Sequence, residues 1–174
     1  MVRRRKKGGL RQAQAEGSWG RASVLAGLAF ATPALSRENL GIFERWGAFR
    51  DARPPRCFAI AEPVRATPAN AGWRPFASVA VWPTLHARNQ LHIRLRRARP
   101  QGSRVMLSIG GKRFDLIAGG ADAWSPDPRA DAAIVAAMRS AESMTVSAAG
   151  FGDTYRLRGA ATAIDAATLG CARH

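Results

Sequence analysis

The sequence predicts a mainly β protein, an antiparallel β-sandwich or flattened barrel with one inserted helix and one short C-terminal helix. Three observations support this fold class. Short segments with alternating or continuous apolar residues recur from Cys57 onward, as expected for strands. Gly110 and Gly111 separate two of these segments, in the manner of a two-residue hairpin. Helical spacing of apolar residues is clearest in the segment 128–140.

The first 36 residues have the three parts of a secretory signal. A basic head begins at Arg3–Lys7, an uncharged stretch covers Ala22–Ala31, and small residues and a proline lead to Ser36. The uncharged stretch is too short for a membrane-spanning helix, which needs about 20 residues. We therefore predict a signal peptide over 1–36, cleaved after Ala31 or Ser36, and a periplasmic or secreted single domain over 37–174. The alternative is a basic arm on a cytoplasmic protein.

The first half of the mature chain begins with a segment, Arg37–Pro55, that is predicted to be a helical or irregular lead-in. Its apolar residues lie at near-helical spacing; they are Ile42, Phe43, Trp46 and Phe49. Cys57–Val64 is predicted to be a strand with Phe58 and Ile60 on one face. The Pro- and Ala-rich segment Arg65–Pro75 predicts a loop. The apolar, valine-containing segment 76–82 predicts a buried strand.

Three further strands follow. In Asn89–Arg97 the apolar residues Leu91, Ile93 and Leu95 alternate with polar ones, so one face is predicted to be buried. Arg104–Ile109 and Lys112–Ala118 are predicted to pair as a hairpin across the two glycines.

The last third combines helices with a second hairpin. Gly119–Asp127 is predicted to be a loop that holds Trp124. Asp127 can cap a helix over Pro128–Ser140, because its side chain can accept hydrogen bonds from the first turn. The segments 143–148 and 154–158 predict a hairpin with Asp153 in its turn, and a C-terminal helix over about 160–169 is predicted to end at Gly170.

The two cysteines, Cys57 and Cys171, lie near opposite ends of the mature chain. Their spacing suits neither a metal site nor a redox Cys-x-x-Cys pair. In an oxidising compartment we predict a disulfide between them. The alternative is two separate buried thiols, because cysteine also packs as a small hydrophobic residue.

The formal net charge of +15 points to an anionic partner, but two features of the sequence reduce its weight. Residues 1–36 hold seven basic residues and one acidic residue, so +6 leaves with the signal peptide. Arginine greatly outnumbers lysine, a bias that a GC-rich genome also produces. For an exported protein, the candidate partners of a positively charged surface are an anionic envelope polymer, a lipid headgroup or a protein.

The strand assignments predict a basic sheet face, made by polar residues that alternate with the buried ones. Because arginine forks grip phosphates, sulfates and carboxylates, these residues are anion-binding candidates. They are His92, Arg94, Arg96, Arg113, Arg156 and Arg158. The alternative is a solvated sheet face filled with arginine by codon composition.

No catalytic residue, metal site or cofactor is predicted. The three histidines show no metal-ligand spacing, and neither a nucleophile elbow nor a phosphate loop occurs. Trp73, Trp82 and Trp124 could stack on sugar rings; Trp82 is predicted to belong to the core. An envelope hydrolase would need acids or histidines that converge in a pocket.

The chain resembles the invasion-associated locus B proteins of alphaproteobacteria. The resemblance rests on the export signal, the segments 46–49, 57–60, 107–114 and 132–138, and the closing segment that runs from Leu157 to Cys171. It implies a secreted or periplasmic β-sandwich without known catalysis, linked in some pathogens to host-cell entry; an invasion role is not carried over.

These observations lead to two hypotheses. The first is an exported, non-enzymatic envelope protein that binds an anionic component or partner protein through its basic face. The second is a cytoplasmic nucleic-acid-binding protein that uses Arg3–Lys7 and the strand arginines.

Overall fold

The structure is a computed structural model that describes residues 37–64 and 74–172. The predicted signal peptide with its basic arm, most of the predicted loop 65–75 including Trp73, and the last two residues lie outside the described residues. The strands are β1 (Glu38–Phe43), β2 (Trp46–Ala52), β3 (Pro55–Ala61), β4 (Phe76–Trp82), β5 (Ala87–Arg94), β6 (Val105–Ile109), β7 (Lys112–Gly119), β8 (Asp122–Trp124), β9 (Ser143–Ala148) and β10 (Phe151–Arg156). The helices are α1 (Pro128–Ser140), α2 (Ala160–Ala172) and a single 3-10 turn at Pro83–Leu85.

All ten strands belong to one antiparallel sheet in the order β1-β2-β3-β4-β5-β8-β7-β6-β9-β10. Strand β7 joins the two parts of the sheet, because Lys112–Leu116 pair with β6 and Ile117–Gly119 pair with β8. The sheet does not close, and β1 and β10 are its two edges. The predicted mainly β, antiparallel fold with an inserted and a C-terminal helix is confirmed.

Both helices pack on the same face of the sheet, which we call the core face. Helix α2 contacts β1 to β4, and α1 contacts β5, β6 and β7. The inward positions predicted for Asn89–Arg97, which are Leu91, Ile93 and Leu95, are buried there, and so are Val105, Leu107 and Ile109 of β6. No helix of the described residues packs on the opposite face of β2 to β5, and we call that face the outer face.

Helix α1 begins and ends where the sequence predicts. The side chain of Asp127 accepts a hydrogen bond from the amide of Ala130 at 2.8 Å and caps the first turn. Asp131, one turn further, is buried; its carboxylate accepts the amide of Leu91 at 2.8 Å and the hydroxyl of Ser125. Burial raises the pKa of Asp131. This carboxylate therefore ties α1 directly to the backbone of β5.

Helix α2 continues to Ala172, so the prediction that it ends at Gly170 is wrong. Gly170 serves close packing instead: a Cβ atom there would lie 2.5 Å from Cδ1 of Leu40 in β1. The predicted disulfide is confirmed. Cys57 in β3 and Cys171 in α2 are bonded with an S–S distance of 2.03 Å and a Cα–Cα distance of 5.7 Å. The bond joins the last turn of α2 to the core face of the sheet.

Three local predictions are wrong for physical reasons. The lead-in is a hairpin, β1–β2, rather than a helix. Its apolar residues lie on both faces, and a bulge near Gly41 shifts the register. The spacing of its apolar residues therefore resembles that of a helix. The predicted loop 119–127 contains the short strand β8. Asp153 lies buried within β10, where Arg96 donates to its carboxylate, and not in a turn.

The free edge of β10 is covered by three donors from distant parts of the chain. The carbonyl of Gly152 accepts from Nη2 of Arg96 at 3.0 Å, and that of Thr154 accepts from the amide of Val64 at 2.7 Å. The carbonyl of Arg156 accepts from Nε1 of Trp46 at 2.8 Å. The first strands of the sheet therefore curl towards the last one without forming a ladder with it.

No helix in the described part of the chain has the length and apolar character that crossing a membrane requires.

We expect loss of the disulfide to destabilise the fold strongly. Its cysteines are 114 residues apart in sequence, and closing a loop of that length contributes about 4–5 kcal/mol in the chain-entropy description. The double variant Cys57→Ser/Cys171→Ser should lose free energy of unfolding of that order in urea titrations. Reduced wild-type protein is the matched control. Equal urea midpoints for oxidised and reduced protein would contradict the prediction.

Candidate functional site

A cavity of about 320 Å³ lies on the outer face of β3, β4, β5 and β8. We call it the outer groove. Its floor contains two small residues of β4, Ser78 and Ala80. Its aromatic walls are Phe58, Phe76, Trp82, His92 and Trp124. Its remaining lining residues are Arg37, Arg56, Ile60 and Gln90.

Strand register explains why a depression forms at this place. Ser78 lies between Ile60 of β3 and His92 of β5, and His92 lies opposite Trp124 of β8. Two residues further along β4, on the same face, Ala80 lies between Phe58 of β3 and Gln90 of β5. Because directly opposed residues share a face of the sheet, a small residue flanked by larger ones leaves a hollow.

Arginine and aromatic side chains alternate along one side of the groove. The guanidinium of Arg37 lies 5.9 Å from the ring centre of Phe49 and 5.1 Å from that of Phe58. The guanidinium of Arg56 lies 4.8 Å from Phe58 and 5.3 Å from Trp82. These cation–π contacts cover Phe58, which is only 5% exposed although it lies on the outer face. We call these five residues the arginine–aromatic ladder.

Both arginines of the ladder share one carboxylate. Asp51 accepts from Nε of Arg37 at 2.8 Å and from Nε of Arg56 at 2.9 Å. The hydrogen bond from Arg37, with Arg56 beside it, holds the pKa of the Asp51 carboxyl below its usual range. Two guanidinium groups against one carboxylate leave an excess positive charge at this side of the groove.

The opposite side holds a second cluster around Asp122. Its Oδ1 lies 2.8 Å from Nε2 of His92 and 2.9 Å from Nε of Arg94. This contact fixes the orientation of the His92 ring beside the carboxylate. The ring of His92 stacks on Trp124 with centres 5.3 Å apart, and meets Phe76 edge-on at 5.2 Å.

Polar groups in the groove have capacity for further hydrogen bonds. Nε1 of Trp82 donates to Oε1 of Gln90 at 2.8 Å, which fixes the orientation of the amide. The Gln90 amide nitrogen carries two donors besides this contact. The hydroxyl of Ser78 makes only a long contact, 3.4 Å, with the carbonyl of His92. The groove thus offers an amide, a hydroxyl and aromatic faces together.

The six residues predicted to form a basic face are distributed over the sheet. His92 lines the outer groove and shares Asp122 with Arg94. Arg96 and Arg156 line a different cavity, beside β10. The remaining two lie elsewhere: Arg158 pairs with Glu44 at 3.2 Å, and Arg113 is exposed on β7. The six predicted anion-binding residues therefore do not line one common cavity.

Several groove residues are not among the predicted site residues. Arg37, Arg56 and Phe58 depend on pairing between strands that are distant in sequence. The sequence assigns Trp82 to the core, yet it lies on the outer face beside Arg56. One feature of the sequence could have indicated the outer groove. The small residues Ser78 and Ala80 alternate with the inward positions of β4, so they leave the outer face of that strand shallow.

Comparisons with protein-family models, with curated proteins and with solved structures found no match to this chain. In residues 37–64 and 74–172, no three His, Cys, Asp or Glu side chains are grouped so that they could hold a metal ion. The site is therefore interpreted from its own geometry.

We expect the variant Arg37→Gln to raise the pKa of Asp51 towards its ordinary value of 3.8. A lowered folded-state pKa stabilises the fold above the ordinary value, and this stabilisation is lost as the pH falls through the folded-state pKa. The variant should therefore differ from wild type most near neutral pH and least in acid. Carboxyl NMR titration and urea unfolding at both pH values measure these effects.

The matched control for this prediction is Arg74→Gln, which removes the partner of Glu62 from an exposed pair. It should leave the pKa of Asp51 unchanged. An Asp51 pKa of ordinary value in the wild-type protein would contradict the prediction.

Proposed function

We propose that this chain is an exported, non-enzymatic binding protein that captures an anionic component of the cell envelope in its outer groove. The predicted signal peptide and the resemblance to the invasion-associated locus B proteins support the location. The disulfide also supports it, because such bonds persist in oxidising compartments outside the cytoplasm.

One observation carries the binding proposal: Arg37 and Arg56 converge on the single carboxylate of Asp51 at the side of an aromatic cavity. Each guanidinium has five N–H donors in a planar fork, and one carboxylate cannot accept all of them. Stacking on Phe58 holds both forks in place before a ligand arrives. An incoming anion therefore meets donors whose orientation has already been fixed.

The arginines on the other part of the sheet support the proposal less. Arg96 is turned towards the buried carboxylate of Asp153, and Arg158 towards Glu44. Arg156 lies beside a cavity that also contains Glu142, so an anion there would face a like charge. The outer groove has the aromatic walls that this second cavity lacks.

We expect the double variant Arg37→Gln/Arg56→Gln to bind fluorescent heparin about tenfold more weakly than wild type, which corresponds to about 1.4 kcal/mol. The control Arg113→Gln/Arg156→Gln removes the same charge from the other part of the sheet and should change affinity much less. Heparin titrations at two salt concentrations distinguish direct contacts in the groove from long-range attraction to the net positive charge, because salt screens the long-range attraction more strongly. Thermal unfolding verifies that each variant is folded.

Equal losses of heparin affinity in the two double variants would contradict a specific site in the outer groove.

The export part of the proposal has its own test. We expect cell fractionation and N-terminal sequencing to find a mature chain that begins at Thr32 or Arg37 outside the cytoplasm. Non-reduced peptide mapping of the same material should yield the Cys57–Cys171 pair. Protein with Met1 intact in the cytoplasm and reduced cysteines would contradict export and favour the nucleic-acid alternative.

A further inference from the structure

We propose that the outer groove is a saccharide site and that its ligand is an acidic sugar, a uronic acid unit within an oligosaccharide or polysaccharide. This inference rests on the proposed function, and it goes further by naming the chemical class of the anion. Three features of the groove support it: exposed aromatic faces, a mixed set of hydrogen-bonding groups, and arginine forks at one side.

The aromatic faces suit the ring of a sugar. Aromatic rings carry negative charge on their faces, whereas the C–H groups of a pyranose carry slight positive charge. Trp124 is 37% exposed although it stacks on His92, so one face of its indole is held in place and the residue still meets solvent. Trp82 is held in the same way by Gln90 and Arg56. Both rings are thus oriented before any ligand binds.

The floor between these rings leaves room for a flat ligand. Ser78 and Ala80 place only small side chains beneath the cavity. A volume of about 320 Å³ is at the small end of ligand pockets, which suits one or two sugar units. Because the cavity lies on the outer face of a sheet, the rest of a polymer can continue over the surface.

The polar groups match hydroxyls better than they match a phosphate or sulfate. A sugar hydroxyl both donates and accepts, and the groove supplies the Gln90 amide and the Ser78 hydroxyl, which also do both. A fully ionised phosphate or sulfate only accepts, so it would leave the accepting capacity of these groups unused. Mixed donors and acceptors therefore favour a polyhydroxylated ligand.

The arginine–aromatic ladder supplies the site for the acidic group. Asp51 leaves part of the donor capacity of Arg37 and Arg56 unused, and both guanidinium groups line the groove. A planar carboxylate matches the fork of a guanidinium, so two parallel hydrogen bonds can form. A sugar that lies over Ser78 and carries a carboxylate would engage the floor, an indole and an arginine at once.

The experiment measures binding to the full mature, oxidised protein by calorimetry with three probes. They are an oligogalacturonate, its fully methyl-esterified neutral form, and polyphosphate as an anion without sugar rings. We expect the oligogalacturonate to bind about tenfold more tightly than its ester, equivalent to about 1.4 kcal/mol. We expect Trp124→Ala and Ser78→Val to weaken oligogalacturonate binding about fivefold and to leave polyphosphate binding unchanged.

Two further variants keep the test interpretable. Leu169→Ala shortens an exposed apolar residue on α2, away from the groove, and should leave all three affinities unchanged. Arg56→Lys keeps the charge but removes the planar fork, so it should weaken oligogalacturonate binding more than polyphosphate binding. Circular dichroism and thermal unfolding of each variant exclude loss of the fold as the cause.

The outcomes separate this inference from the proposed function. Polyphosphate and oligogalacturonate that bind equally, both insensitive to Trp124→Ala, would overturn the saccharide inference and leave anion binding intact. Equal binding of the neutral ester would overturn the acidic part of the inference. If neither oligogalacturonate nor polyphosphate binds to the wild-type protein, the saccharide inference is overturned. If the wild-type protein also fails to bind heparin, the proposed function is overturned too.

Discussion

The bond between Cys57 and Cys171 fixes helix α2 against the core face of β3, and much of the architecture follows from this position. With both helices on one face of the sheet, the part of the chain that the structure describes places no second layer on the other face of β2 to β5. Phe58, one of the large apolar residues on that face, must therefore be covered by neighbouring side chains. Arg37 and Arg56 cover it with their guanidinium groups, which remain in contact with solvent at their edges. A packing requirement on one face thus creates a charged, aromatic surface on the other.

The same surface combines two physical properties that a binding site needs. Its charged groups are held by shared carboxylates, Asp51 on one side and Asp122 on the other, so their positions are set before a ligand arrives. The floor of Ser78 and Ala80 keeps the centre low while aromatic walls rise around it. Contacts to Asp51 use only part of the donor capacity of Arg37 and Arg56. The remaining donors are consistent with the recognition that we propose.

The sequence predicts those parts of the fold that local patterns control. The hairpin at Gly110 and Gly111 and the helix capped by Asp127 depend on neighbouring residues, and both predictions are confirmed. The hairpin β1–β2 escapes prediction because both of its faces carry apolar residues. Strand β8 escapes it because three residues are too short to show alternation.

The composition of the candidate site depends on pairing between distant strands, which local patterns do not encode. The partners of Asp51, Asp122 and Asp153 follow from sheet order and register, so arginines that look alike in sequence have different roles. The sequence predicts the correct face for His92, whereas it places the stacking partner Trp124 in a loop. The disulfide is predictable because the chain has only two cysteines.

The covered edge of β10 affects how the molecule behaves in a crowded solution. An unpaired strand edge normally invites another extended chain to add to the sheet, which leads to aggregation. Here the outward carbonyls of Gly152, Thr154 and Arg156 already accept hydrogen bonds from Arg96, Val64 and Trp46. A foreign strand would have to displace all three donors before it could pair. The curl of the sheet thus keeps this side of the protein from seeding intermolecular β-structure.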